Sequence, residues 1–338
     1  MQKIKVAQFG LGPIGIEAIK LAAEKDWIEV VGGIDIDPAK VGKTLADVIT
    51  TPAMARPAAS AGGPMVYKTF EELAEKNKPH VILHTAGSKA DASIQQIKPM
   101  AQAGVSVVSS CEELLVPKFR APKLADELDA ICRQNNARVL GTGVNPGFVM
   151  DLLPVCMTGV SRTVEHIYAE RIVNASTRRQ PLQKKIGSGM DPDEMRKLFN
   201  EGKAGHAGFL ESLALIGHAM GWQFTETYEL FEPVIAPYDI TTTFFTVKKG
   251  QCCGIHQQVV GKVGDVQRVH MDLKMYLDAR DPHDSIKITG EPPLDVRING
   301  GVAGDHATVA SLVNAVPRVL KAPPGVLMMT DVATPAWR

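Results

Sequence analysis

The sequence predicts an α/β protein in which a doubly wound parallel sheet is followed by a second α+β domain carrying a largely antiparallel sheet. Three observations carry that expectation. Residues 1 to about 145 alternate short apolar runs with helix-like patterns, the first run ends in a glycine-rich turn, and beyond Gly147 the runs lengthen and alternate polar with apolar residues.

The first element is the apolar run Ile4, Val6, Ala7, Phe9, which enters Gly10-Leu11-Gly12-Pro13-Ile14-Gly15. A strand delivering the chain to a turn at Gly10, close backbone approach at Gly12 and helix packing at Gly15 form the outline of a dinucleotide site, with the pyrophosphate on the free N–H groups of the following helix. Pro13 and Ile14 fall inside that cradle. A second run, Val30 to Ile34, ends at Asp35, about twenty residues past the last glycine, where an acid can take ribose hydroxyls. Asp35 favours NAD, whereas Lys40 and Lys43 lie within reach of a 2′-phosphate, so NADP stays open. Asp37-Pro38 reads as the start of a helix or turn.

Further strands are expected at Val81 to His84, Val105 to Ser109 and Arg138 to Gly141, beside the first two, Lys3 to Phe9 and Glu29 to Ile34. The helices between them are Ile14 to Ala23, Phe70 to Glu75, Ser93 to Ala103 and Pro122 to Asn135, and the Pro/Ala/Gly-rich stretch Thr51 to Gly63 reads as a loop. After Gly147 the pattern predicts a helix near Phe148 to Cys156, a strand at Val164 to Ile172, a helix at His206 to Met220, and strands at Ile240 to Lys248, His256 to Val260 and Val266 to Tyr276. Asp305 to Val316 reads as a final helix with Ala307, Val309, Leu312, Val313 and Val316 apolar. The expected organisation is a Rossmann cofactor domain at 1–146, a substrate and dimerisation domain at 147–300, and a segment at 301–338 that packs back on the cofactor domain.

Composition narrows the function class. Lysine plus arginine equals aspartate plus glutamate at 37 each in 338 residues, so there is no global field to hold nucleic acid or an anionic membrane. No long apolar stretch reads as a membrane span or a secretion signal, and the expected compartment is the cytoplasm. Cys111, Cys132, Cys156, Cys252 and Cys253 show no paired metal spacing and read as reduced thiols. His80 and His84 bracket a strand, where a spacing of four does not bring imidazoles together, so no metal is expected. A small molecule is the expected partner.

Ligands of an open parallel sheet sit beyond the carboxyl ends of its strands, which directs attention to three segments. In Thr85-Ala86-Gly87-Ser88 small residues either let the backbone pass a cofactor or form a plain turn. In Ser109-Ser110-Cys111-Glu112-Glu113 one carboxylate can face the ligand, hold an ammonium or iminium by charge and exchange a proton with an amine; alternatively both glutamates begin a helix and favour its dipole. In Gly141 to Gly147, Asn145 either fixes the nicotinamide carboxamide or caps the next helix.

With these segments in view, the chain resembles the amine dehydrogenases related to 2,4-diaminopentanoate dehydrogenase, which join a dihydrodipicolinate-reductase-like cofactor domain to a separate substrate domain. Beyond the glycine turn, the resemblance rests on Cys111 to Leu114, Gly141 to Asp151, Arg178 to Gly187, Gly205 to Ser212 and Gly300 to Thr308. It implies reversible oxidative deamination of a primary amine to a ketone or aldehyde plus ammonia, with Cys111 beside the cofactor. The family's catalytic glutamate falls on Glu112 or Glu113; Glu112 is preferred because it stands where the similar homoserine dehydrogenases carry a lysine. Phe148 and Met150 are expected pocket walls or core. Arg178 and Arg179 either meet an anionic group or lie on a surface, His206 is either a ligand contact or a packing residue, and Asp305 is either an N-cap or a site residue. Trp222 and Trp337 are assigned to packing or an interface.

Competing readings are weaker. The double-histidine motif followed by lysine of the dihydrodipicolinate reductases is missing, and so is the Glu-Lys-Pro segment of polyol dehydrogenases at Cys111-Glu112-Glu113. A non-catalytic NAD-binding regulator stays open, because binding glycines do not establish chemistry. A homodimer is expected, C2 dimers being the commonest assembly.

Overall fold

The computed structural model describes residues 2–49, 63–334 and 336–337. The stretch read as a Pro/Ala/Gly-rich loop lies, but for Gly63, outside them. Two compact units divide the chain: Met1–Gly147 together with Ala303–Arg338, and Phe148–Val302.

In the first unit the chain runs β1 (Ile4–Phe9), α1 (Pro13–Glu24), β2 (Ile28–Ile34), α2 (Leu45–Ile49), β3 (Val66–Tyr67), α3 (Phe70–Asn77), β4 (Val81–His84), α4 (Ala90–Gln102), β5 (Ser106–Ser109), a 3-10 turn at Glu112–Leu114, α5 (Pro117–Arg120), α6 (Pro122–Gln134) and β6 (Arg138–Gly141). The second unit follows with α7 (Leu152–Thr158), β7 (Thr163–Asn174), α8 (Gln180–Lys185), α9 (Pro192–Asn200), α10 (Phe209–Met220), β8 (Glu226–Ile235), β9 (Ile240–Thr241), β10 (Thr246–Val247), β11 (Cys252–Val263), β12 (Val266–Tyr276), β13 (His283–Glu291) and β14 (Leu294–Asn299). The chain then returns to the first unit with α11 (Gly304–Val319) and β15 (Gly325–Leu327).

Among the described residues the first sheet has seven strands, all parallel, in the order β15-β6-β5-β4-β1-β2-β3. Its central strands are largely apolar because helices cover both faces, and every residue of β4 and β5 is buried, the polar His84, Ser106 and Ser109 included. Ile82, Val107 and Val139 pack with Ile94, Ile97 and Leu128 from α4 and α6 in one core. Each such side chain contributes roughly 1.5–3 kcal/mol by leaving water. Asp37-Pro38 begins a turn.

The sheet of the second unit has six strands in the order β14-β13-β7-β12-β11-β8. It is mixed, since β7 and β12 pair in parallel while the other pairs are antiparallel. Its edge strand β8 carries three glutamates and Pro233, a composition tolerated at an edge because the missing N–H there faces no partner. Three expectations change here. The run Ile240 to Lys248 is a small two-stranded hairpin, because Thr242 closes a turn by accepting from the backbone N–H groups of Phe244 and Phe245. The helix read from Phe148 begins at Leu152, where Asp151 caps it, and the helix read from His206 begins at Phe209, after Gly208 in the left-handed region at φ +88°. Among the described residues no helix is long and apolar enough to cross a membrane.

Candidate functional site

The strand order reverses at β1, between β2 and β4, the position where open parallel sheets take their ligands. Ile34, Phe9, His84, Ser109 and Gly141 form one row across five strands, so Asp35, Gly10, Thr85, Ser110 and Thr142 leave the carboxyl edge side by side. That row brings the cofactor candidates and the glutamate pair to one edge.

Gly10 turns at φ +86°, where Thr85 and Ala86 lie against it, so a side chain there is excluded on both grounds. A Cβ on Gly15 would collide with the Gly10 carbonyl and stand 2.7 Å from the Thr85 hydroxyl, whereas a Cβ on Gly12 would meet nothing within 4 Å. Gly15 is therefore required by packing, and Gly12 faces open space. Helix α1 starts with Pro13, has no side-chain cap and no acid in its first turn. The first-turn amides of Ile14 and Gly15 are thus left for a ligand's anion. These features fit a dinucleotide pyrophosphate.

Gln8 holds this turn, and sequence reading passed it over. Fully buried in β1, it donates through Nε2 to the carbonyl of Gly10 at 3.1 Å and to the Thr85 hydroxyl at 2.9 Å. The Thr85 hydroxyl in turn donates to the Gly10 carbonyl at 3.0 Å. Strand pairing is what buries Gln8, and a buried amide requires partners. Gly87 continues the Thr85 segment toward α4, where a Cβ on it would stand 3.6 Å from the Ser93 hydroxyl.

Asp35 leans onto the glycine turn, accepting from the backbone N–H of Leu11 at 2.7 Å and of Asp37 at 2.9 Å. The Lys40 ammonium lies 3.1 Å from its carboxylate and also donates to the Leu11 carbonyl at 3.0 Å. Partial burial raises the Asp35 pKa, but those two N–H groups and Lys40 outweigh it and leave the group below the usual carboxylate value. An ionised carboxylate retains lone pairs for ribose hydroxyls.

The two glutamates part company. Glu113 is buried, with one oxygen 2.8 Å from the Lys89 ammonium and the other accepting from the Ala90 N–H at 2.8 Å, so it ties the start of α4. Glu112 is half-buried, and its carboxylate has no hydrogen bond or ion pair among the described residues. Both open the one-turn 3-10 helix at Glu112–Leu114, as one of the two readings of this pair expected. That turn passes so close over Gly141 that any Cβ there would collide with the Leu114 carbonyl. The Cys111 side chain points into the core, where burial pushes its thiol up to about 11. Any cofactor contact at Cys111 is thereby left to its backbone.

Asn145 stands after β6 at a cis peptide with Pro146. Its capping alternative falls away, because Asp151 caps α7 and also accepts from the Ser212 hydroxyl at 2.6 Å. Phe148 and Met150 belong to the second unit, Phe148 exposed and Met150 fully buried. Arg179 precedes α8 as its N-cap residue, and Gln257 grips His206 by its backbone, taking its N–H at 2.7 Å and giving an N–H to its carbonyl at 3.3 Å. Asp305 lies in the first turn of α11, whose N-cap is Ala303. Trp222 packs under the Arg268 guanidinium, and Trp337, largely exposed, under the Lys25 ammonium.

A parallel sheet with this glycine turn and strand-end acid, in a chain that also carries a mixed-sheet unit, defines a Rossmann-like protein of the two-unit dehydrogenase architecture. The family model for the 2,4-diaminopentanoate dehydrogenase C-terminal domain matches residues 148–337, and the chain belongs to that family. It is 29% identical to a 2,4-diaminopentanoate dehydrogenase of Acetoanaerobium sticklandii, over 99% of this chain and 95% of the other. An amine dehydrogenase of Streptomyces virginiae is 24% identical over 97% of this chain and 96% of its own. The solved structure of an amine dehydrogenase from Mycobacterium smegmatis shares the fold with a TM-score of 0.84, at 20% identity and over 99% and 97% of the two chains.

Proposed function

We propose that this protein is an NAD(P)-dependent amine dehydrogenase, interconverting a primary amine with a ketone or aldehyde plus ammonia, and that Glu112 is its catalytic carboxylate. The observation that carries the reading is the division of labour in the glutamate pair. Glu113 is consumed by Lys89 and the Ala90 N–H, while Glu112, one residue away, is left without a partner on the ligand edge of the sheet. The relatives' names supply the substrate class, and family membership makes it the first to test.

The residues present fit a nicotinamide dinucleotide. Gly12 and the first-turn amides of α1 would take the pyrophosphate, Asp35 the ribose hydroxyls, and the Thr85-Ala86-Gly87 segment and Asn145 would lie along the nicotinamide half. When bound, the nicotinamide supplies the hydride acceptor or donor. Glu112 as a carboxylate would draw the substrate ammonium to the edge, take a proton from nitrogen so that its lone pair can expel the hydride, and stabilise the iminium by charge. Water then adds to the iminium carbon, and Glu112 can carry the proton that leaves ammonia and carbonyl. Asp35 favours NAD; Lys40, already paired with Asp35, is the group a 2′-phosphate would recruit. Phe148 and Met150 are proposed as apolar pocket residues, and a homodimer as the working assembly.

The test is consumption of NADH and NADPH with a panel of ketones and aldehydes, each with and without ammonia. Ammonia-dependent oxidation is expected, abolished in Glu112→Gln with cofactor affinity kept. Turnover indifferent to ammonia would mark an alcohol-type dehydrogenase, and an active Glu112→Gln beside an inactive but folded Glu113→Gln would move the role one residue along.

A further inference from the structure

We propose that His84, held as the neutral Nε2–H tautomer, is the positioning residue for Glu112, acting through Ser109; the inference rests on the Glu112 reading above. His84 ends β4 with no exposed surface. Its Nε2 lies 2.9 Å from Gln96 Oε1, and its Nδ1 lies 2.9 Å from Ser109 Oγ. The same Ser109 oxygen receives the backbone N–H of Cys111 at 3.1 Å.

These contacts define one direction. Gln96 Oε1 is an acceptor, so the ring proton sits on Nε2; Nδ1 then accepts from the Ser109 hydroxyl, and the hydroxyl oxygen accepts from Cys111. The chain of three hydrogen bonds ends on the backbone N–H of Cys111, the residue before Glu112. Glu113 fixes the other side of the same turn through Lys89 and Ala90, so Glu112 is bracketed by two anchors.

His84 also ties that turn to the glycine cradle. Its carbonyl accepts from Ser110 N–H at 2.9 Å, its ring lies 5.2 Å from that of Phe9, and the next residue, Thr85, bonds the Gly10 carbonyl. His84 thus stands between the turn bearing Glu112, which its imidazole meets through Ser109, and the turn proposed for the pyrophosphate, which its neighbour Thr85 holds. A leucine would fill this space without desolvating two ring nitrogens, and both nitrogens here are satisfied. A proton on Nδ1 would reverse the contact with Ser109 and leave the Ser109 hydroxyl hydrogen without its acceptor. Burial opposes that proton, holding His84 below the ordinary histidine value despite the Gln96 hydrogen bond.

The test compares His84→Leu, Ser109→Ala and His84→Asn by kcat, NADH dissociation constant and amide exchange at Cys111, together with the imidazole 15N shifts of the parent protein. Asparagine places an amide oxygen near the position of Nδ1 and can accept from Ser109. His84→Leu and Ser109→Ala are expected to lower kcat by up to about 100-fold, to leave NADH affinity unchanged and to speed Cys111 exchange, while His84→Asn restores both kcat and protection. Unchanged kcat in His84→Leu, a parallel loss of NADH affinity, no rescue by asparagine, or a parent spectrum showing a protonated Nδ1 would each overturn the proposal. If the parent shows no ammonia-dependent turnover, the Glu112 reading fails on its own. The relay is then still decided by the 15N shifts and by Cys111 exchange.

Discussion

Two glycines of one turn stand in different surroundings, and the same substitution separates them. A Cβ on Gly12 meets nothing within 4 Å, and its backbone at φ −72° suits any residue. Gly12→Ala is therefore expected to unfold within about 0.5 kcal/mol of the parent, yet to bind NADH at least about tenfold more weakly, a difference of about 1.4 kcal/mol. Gly15→Ala drives its methyl into the Gly10 carbonyl and toward Thr85 and Gln8. Overpacking of this kind costs roughly 1–3 kcal/mol, so Gly15→Ala should lose stability as well as affinity. Urea titrations and NADH fluorescence read the two quantities separately, and a Gly12→Ala variant binding NADH like the parent would remove the pyrophosphate from that position. Gly10 and Gly15 were legible in the sequence because each answers a local steric demand. Gln8 was not, because its partner Thr85 is 77 residues away and only strand pairing brings them together.

At the scale of elements, legibility followed how far each element depends on its own residues. Strands β4 and β6 coincide with their expected spans because both faces of a covered parallel strand are apolar, and β12 does so by clean alternation. Strands β8, β13 and β14 went unread: their charged and polar residues form strands because neighbouring strands supply the ladder. Buried polar pairs across that ladder are invisible to periodicity for the same reason. Arg171 on β7 and Asp284 on β13 stand opposite each other, nearly free of solvent, with the guanidinium 2.6 Å from the carboxylate. Together they hold both backbone groups of Val302, whose carbonyl accepts from Arg171 and whose N–H donates to Asp284 at 2.7 Å. The pair fastens the end of the second unit to its sheet. Asp284→Ala strands a buried cation and the Val302 N–H, so a loss of about 3–5 kcal/mol is expected in denaturant unfolding. Replacing both partners, as Arg171→Met with Asp284→Leu, should recover part of that loss by removing the unpaired charge, though not the part due to Val302. A loss below about 1 kcal/mol in Asp284→Ala, the size typical of exposed ion pairs, would show that this pair does not fasten the end of the second unit to its sheet.

The whole molecule is discontinuous, and that organises its stability. The first unit is complete only when Ala303–Arg338 returns to it: α11 packs on α1 and touches β4, β5 and β6, and β15 adds an edge strand to β6. Val309, Leu312, Val313 and Val316 of α11 are buried in that unit, each contributing roughly 1.5–3 kcal/mol, a sum comparable with the ~5–15 kcal/mol by which a domain is stable at all. A chain ending at Gly147 keeps the glycine turn, Asp35 and Glu112 but exposes the apolar face of α1 and the edge of β6. It is expected to show no cooperative thermal transition and no NADH binding. Residues 1–147 joined through a short flexible linker to 303–338 should melt cooperatively and bind NADH, whereas the continuous stretch 148–302 should fold without binding it. Circular dichroism melts and NADH fluorescence on the three chains decide the matter. If 1–147 alone melts as sharply as the joined chain, the returning segment is an accessory to the cofactor unit; if the joined chain folds and fails to bind NADH, the cradle needs residues from the second unit.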